Sequence, residues 1–401
     1  MKIDLTVEKN YLDNAEKQAL ARGLYDFPIV DTDCHYMGSP FKDLGKYLEE
    51  PYRSLLQKGT PSKLVYADIG DRTLANRMKS IPLFNKTSKN KPEDFTMPKE
   101  IYPLMESSMK MAIDYNVVFP TDLLASGVHP DPEIEVAIAT GFARWMTEEI
   151  LPQSDAIRTM LYLPLSDPEA CVKIIKEFGD KKGVAGALIT SMRYTPVYQN
   201  SLMPVYKLLE EKGMPLGFHT VSHWMERPFQ QLNRFLTAHA LGFPLYNMIQ
   251  AANLIINGIP ERFPNLKFIF IEAGVFWIPF LMARLDSDYL FRHSDAPLLT
   301  KRPSEYMKSF YFTSQPLEIT DNMDHLKSIF EMFDAENQLM YASDYPHQDF
   351  DTAATIYDLP FLDEKAKRKI LGENALKLFN IQNPVLHAKN RREEALAAKK
   401  G

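Results

Sequence analysis

Three features of this 401-residue sequence predict a (β/α)8 barrel: eight short apolar runs, helical patterns between them, and chemically competent polar residues at the ends of several runs. The runs are FPIVDTDCH (27–35), NVVFPT (116–121), IRTMLYLPL (157–165), VAGALITS (184–191), MPLGFHT (214–220), KFIFIEAG (267–274), FYFTSQ (310–315) and QLMYASDY (338–345). Continuous apolar runs of this length suit parallel strands covered on both faces. A doubly wound open sheet is the alternative that the same alternation allows.

The helical patterns carry their own punctuation. In SDPEACVKIIKEF, Asp167 is placed to cap a helix and Pro168 to occupy its first turn. In NSLMPVYKLLEEKG, Gly213 closes the pattern as a C-terminal cap. Two stretches break the alternation. Residues 36–112, rich in Pro, Lys and Tyr, form an insertion after the first strand, placed to overhang the mouth of the barrel or to meet a neighbouring subunit. The predicted organisation is an N-terminal helical arm (1–27), the barrel domain (28–381) and a charged tail (382–401), the tail reading as a solvated, exposed helix.

Composition narrows the function classes. The chain is 45% hydrophobic and 24% charged, enough to bury a large core. A net charge of -6 gives no footprint for nucleic acid. Two distant cysteines, Cys34 and Cys171, argue against a disulfide framework and for a reducing compartment. The opening MKIDLTVEKNYLDNAEKQAL lacks the apolar core of a signal peptide, and no run is long enough to span a membrane. A cytoplasmic protein with neither nucleic-acid nor membrane partners is the expectation.

The first run poses a chemical problem. Asp31, Asp33 and His35 alternate along a strand, so they share one face, and burying that much charge is costly unless something pairs with it. Barrel active sites draw on the C-terminal ends of different strands. By that rule the first strand supplies Asp33 and His35, the fifth His219, the sixth Glu272 and the eighth Asp344. Two imidazoles with carboxylates from three strands suit a divalent ion such as zinc, manganese or iron. A lone histidine at a strand end reads more readily as a hydrogen-bonded core residue; the repetition at strand after strand favours the metal.

DTDCH, GFHT, ERFPNLKFIFIEAGVFWIPFLMARLD, YASDYPH and ENALKLF together resemble the amidohydrolase-related family, in the branch containing aminocarboxymuconate semialdehyde decarboxylase and the aromatic-acid decarboxylases. The resemblance covers about residues 28–381 and implies a distorted (β/α)8 barrel with one or two divalent ions. It implies Asp33, His35, His219 and Asp344 as metal ligands, with Asp31 supporting them. The usual first motif, H-x-H or E-x-H, is Asp33-x-His35 here, a harder donor pair. No residue matches the carboxylated lysine of binuclear relatives, which implies a single metal. Where the branch has a strand-six histidine for proton transfer, this chain has Glu272, which either transfers a proton or orients a ligand or substrate.

Other residues are candidates with alternatives beside them. His223 and His239 are either proton shuttles or ordinary loop and helix histidines, and His347 is expected to brace the last strand's loop. Arg193 either binds a substrate carboxylate or makes a surface ion pair, and Trp224 either lines a substrate pocket or packs. The leading functional expectation is a mononuclear metal-dependent, non-oxidative decarboxylase of a small aromatic or unsaturated carboxylic acid, with Asp344, Glu272, His223 and His239 as catalytic candidates. The alternatives are a hydrolase of an amide, lactone or thioester using metal-activated water, and a non-catalytic barrel acting as a binding subunit. A homodimer or higher homo-oligomer is expected.

Overall fold

The computed structural model describes residues 11–36, 44–54, 101–124, 126–191, 195–220, 229, 231–232, 234–347 and 349–398. Eight parallel strands run in sequence order: β1 (Val30–Tyr36), β2 (Tyr115–Pro120), β3 (Ile157–Tyr162), β4 (Val184–Thr190), β5 (Leu216–His219), β6 (Phe268–Phe270), β7 (Tyr311–Thr313) and β8 (Leu339–Met340). Each predicted run overlaps one of them. Backbone hydrogen bonds close the sheet between its ends: Thr32 N–H to Tyr341 O at 3.0 Å, His35 N–H to Tyr345 O at 2.8 Å and Asp344 N–H to Asp33 O at 2.7 Å. The result is a (β/α)8 barrel, and the doubly wound alternative is set aside because an open sheet has no such closing bonds.

Alternate strand positions divide the core in two. Val30, Val117, Phe119, Met160, Leu188, Ile269 and Met340 form an interior cluster, while Val118, Leu161, Ile189, Phe218, Phe268 and Phe312 join the outer one against the helices. The principal helices are α1 (Tyr11–Ala21), α2 (Tyr102–Lys110), α3 (Pro132–Trp145), α4 (Pro168–Phe178), α5 (Met203–Glu211), α6 (Phe235–Ile256), α7 (Trp277–Arg292), α8 (Met323–Phe333) and α9 (His387–Ala398). Asp167 caps α4 by accepting the Glu169 and Ala170 N–H groups, each at 3.0 Å. Gly213 ends α5 at φ 64°, with Gly213 N–H to Glu210 O and Met214 N–H to Leu209 O closing a Schellman turn. Among the described residues no helix is long and apolar enough to cross a membrane.

The described parts of the insertion join the main core through Leu44, Leu48, Ile101, Met105 and Met111; residues 37–43 and 55–100 lie outside the described residues. The tail forms the helix α9, in which Ala388 is the one buried residue among those described. Ala388 N–H donates to the buried Asp114 carboxylate at 2.9 Å, and Arg392 pairs with Glu16 of α1 at 2.9 Å. Polar anchors dock α9, which has no apolar stripe for sequence periodicity to register.

Strict alternation also fails in β1. Its pairing with β2 shifts register between Asp31 and Cys34. Val30 belongs to the interior cluster, yet Asp33 and His35, three and five residues on, also reach the interior polar site. A bulge reconciles these facts, because one extra residue flips the faces that follow it.

Candidate metal centre

The C-terminal ends of β1, β5, β6 and β8 bring five ionisable side chains into one dry volume. Asp33, His219 and Asp344 are fully buried, Glu272 is 1% exposed and His35 2%. One donor atom from each of Asp33, His35, His219 and Glu272 lies within 4.8 Å of the others. Asp33 Oδ1 is 3.4 Å from His35 Nε2 and 3.5 Å from His219 Nε2, and Glu272 Oε2 is 3.4 Å from His219 Nε2. Asp344 Oδ1 stands 2.9 Å from His35 Nε2 and 2.6 Å from His347 Nδ1.

The outer nitrogens of the two imidazoles are already engaged. His219 Nδ1 meets the Thr220 carbonyl at 2.8 Å, and His35 Nδ1 meets Thr121 Oγ1 at 3.1 Å. A carbonyl only accepts, so His219 carries its proton on Nδ1 and turns a lone pair inward on Nε2. The Thr121 hydroxyl lets His35 adopt the same tautomer. Both Asp33 oxygens, His35 Nε2, His219 Nε2 and Asp344 Oδ2 are buried without a hydrogen-bond partner among the described residues. Each such group costs roughly 1–3 kcal/mol, more when charged. A divalent cation among Asp33, His35 and His219, whose donor atoms lie within 4.8 Å of one another and of one from Glu272, would satisfy those three, so the residues fit a metal.

Electrostatics leads to the same conclusion. Burial opposes charge on His35, but Asp33 and Asp344 outweigh it and push its pKa up to about 9. Burial likewise opposes ionisation of Asp33 and Asp344; the histidines overcome it and hold both below the ordinary carboxylate range. The metal-free site therefore gathers protons to balance its carboxylates. A metal ion replaces those protons as it binds.

Two of the carboxylates sit on strained backbone: Glu272 has φ 51° and Asp344 φ 59°, the left-handed region that non-glycine residues rarely adopt. Strong local bonds hold them there. Glu272 N–H donates to Thr313 Oγ1 at 3.0 Å, and the preceding carbonyl, Ile271 O, accepts from Asn247 Nδ2 at 3.0 Å. Asp344 N–H is fixed to Asp33 O.

Of the residues singled out in the sequence, Asp33, His35, His219, Glu272 and Asp344 come together. Asp31 lies beside them, bonded to Ser343, and burial pushes its pKa up to about 7. His347, expected as a loop brace, touches Asp344 directly. His239 lies on α6 with Nε2 3.6 Å from Asp349, outside this cluster. Arg193, His223 and Trp224 lie outside the described residues. Trp277 packs against Phe270 and Phe312 and donates to Gly274 O. Thr121, Thr313 and Asn247 carry no sequence signal, since a lone Thr or Asn near a strand end is commonplace.

Comparison with known proteins agrees with this architecture. Gamma-resorcylate decarboxylase from Rhodococcus jostii is 23% identical over 299 residues, spanning 69% of this chain and 88% of that protein. An amidohydrolase from Mycobacterium avium subsp. paratuberculosis superposes with a TM-score of 0.67 at 18% identity, over 88% of this chain and 99% of the other. A manganese-bound 5-carboxyvanillate decarboxylase from Novosphingobium aromaticivorans gives a TM-score of 0.60 at 18% identity, over 90% and 99%. The sequence profile of the amidohydrolase family matches residues 30–381, and with that match across the whole barrel the chain belongs to the amidohydrolase family.

Proposed function

We propose that this enzyme is a metal-dependent, non-oxidative decarboxylase of a small aromatic carboxylic acid that carries a hydroxyl beside its carboxylate. The observation that carries the reading is the position of Asp344. Its Oδ1 stands 2.6 Å from the imidazole of His347 and 2.9 Å from His35 Nε2 of the donor set. A carboxyl so placed links a bound substrate to a proton source. The curated relatives supply the substrate class: they are decarboxylases of aromatic acids and of an aminocarboxymuconate semialdehyde.

Asp33, His35, His219 and Asp344 would hold the ion. A divalent ion held there would supply Lewis acidity toward the substrate carboxylate. The protein does the rest. Asp344 and His347 hold a proton between them at 2.6 Å. As the bond between ring carbon and carboxyl breaks, carbon dioxide departs and the electron pair stays on the ring carbon. That carbon then takes the proton from the Asp344–His347 pair, and solvent restores it. The dry walls suit the reaction, since charge leaves the substrate carboxylate as neutral gas. Half of those four donors are carboxylates, a share that suits manganese or iron(II) beside zinc.

The test is turnover of 2,6-dihydroxybenzoate and 5-carboxyvanillate by manganese-loaded protein in isotopic water. Carbon dioxide release, with one solvent deuterium on the product carbon, is the expected result. Labelled solvent oxygen entering a new carboxylate from an ester or amide, with no carbon dioxide from either acid, decides for a hydrolase. No turnover of any of these by fully loaded protein decides for a binding subunit.

A further inference from the structure

We infer that Glu272 is itself a ligand of the metal, so that the strand-six position contributes a coordinating carboxylate to this centre. The inference rests on the reading of the site as a metal centre and sets Glu272 beside Asp33, His35 and His219, whose donor atoms lie within 4.8 Å of one another and of its own.

Distances separate coordination from hydrogen bonding. A charged N–H···O bond spans roughly 2.7–2.9 Å. Two ligands each about 2.1 Å from a tetrahedral ion lie about 3.4 Å apart, because the edge is about 1.63 times the bond length. Glu272 Oε2 to His219 Nε2 is 3.4 Å, and Asp33 Oδ1 is 3.4 Å and 3.5 Å from the two imidazole nitrogens. These edges are too long for hydrogen bonds and the right length for a shared ion. By contrast, Asp344 and His347 at 2.6 Å are at hydrogen-bond range.

The backbone explains how a glutamate reaches that place. Holding a non-glycine residue at φ 51° costs about 1–3 kcal/mol, and the fold clamps Glu272 there from both sides, through Thr313 Oγ1 and through Asn247 on Ile271 O. The same Asn247 accepts from Ser191 Oγ, and Ser191 N–H donates to His219 O at 2.5 Å. One buried amide thus couples the backbone of His219 to that of Glu272, the two residues whose donor atoms form the 3.4 Å edge. That coupling fixes a spacing between ligands.

The experiment uses full-length protein stripped with chelator and titrated with Mn²⁺, free Mn²⁺ being read from its electron paramagnetic resonance signal. Glu272→Gln and Glu272→Asp are each expected to weaken Mn²⁺ binding at least as much as loss of an outer-shell partner does, about 10–100-fold. Cobalt substitution separates ligation from an indirect effect: the d–d absorption of the Co²⁺ form should change in both variants, because a ligand has been altered. Either variant, folded by circular dichroism, with wild-type Mn²⁺ affinity and an unchanged cobalt spectrum overturns the inference. Neither measurement involves substrate, so failure of the decarboxylase reading leaves this result standing on its own.

Discussion

Asp31 grips Ser343 at two points: its Oδ1 accepts the Ser343 N–H at 2.8 Å and its Oδ2 accepts the Ser343 hydroxyl at 2.5 Å. The same Oδ1 accepts the Asp33 N–H at 3.2 Å. A single buried carboxylate therefore sets the spacing between Asp33 on β1 and Asp344 after β8, and helps close the barrel where its first and last strands meet.

Replacing Asp31 with Ala should orphan those donors in a dry site, lowering stability by roughly 1–3 kcal/mol. It should also weaken metal binding by about 10–100-fold through misplacement of the neighbouring ligands. Asp31→Asn, which keeps one acceptor, should lose less of both. Urea denaturation and metal titration measure the two effects. Wild-type stability in the Ala variant would show that Ser343 finds another partner.

The ligand assignment makes a stoichiometric prediction. Purified protein should hold close to one divalent ion per chain, and the His219→Ala, Asp344→Ala double variant should lose most of it. Far-UV circular dichroism should be unchanged, since the strands are held by the apolar clusters on either side of the sheet. Stoichiometric metal retained in the folded double variant would sink the assignment.

What was legible in the sequence, and what was not, follows from which forces leave a pattern. The eight strands are legible because burial on both faces demands continuous apolar residues, and Asp33, His35, His219, Glu272 and Asp344 stand out because charge interrupts those runs at their ends. The bulge between Asp31 and Cys34 leaves no mark in composition. Neither do the positive φ angles of Glu272 and Asp344, which arise from tertiary bonds to Thr313 and Asp33. His347 could be seen but not placed against Asp344, because only the turn after β8 sets that 2.6 Å contact. Docking of α9 depends on Asp114, more than 270 positions away, a relationship that local periodicity cannot carry.

Gly274, two residues beyond Glu272, sits at φ 67°, and a methyl group there would overlap the Glu318 carboxylate. Glu318 accepts the Val275 N–H at 2.8 Å, so it is tied to the same turn. Gly274→Ala should destabilise the fold by about 1–3 kcal/mol through backbone strain, with the clash adding to it. Adding Glu318→Ala should relieve the clash but not the strain. A double-mutant cycle by thermal denaturation measures the coupling, and strictly additive losses would count against the overlap.

The last prediction concerns pH. The Asp114 carboxyl is buried, accepting the Ile29 N–H at 3.0 Å and the Ala388 N–H at 2.9 Å. Burial pushes its pKa from an ordinary 3.8 up to about 6, the two backbone bonds offsetting only part of that cost. The folded state therefore holds the proton more tightly than the unfolded chain. The stability Asp114 contributes is fully present below pH 3.8 and is lost as pH rises through about 6. A two-unit shift corresponds to about 3 kcal/mol. Asn at this position cannot ionise, so the unfolding free energy of wild type minus that of Asp114→Asn should fall by up to about that amount between pH 4 and 7.5. Chelator in both samples leaves the metal centre's titration common to the pair, and the difference isolates Asp114. A difference that stays constant across this range would mean that Asp114 ionises as freely in the folded protein as in the unfolded chain.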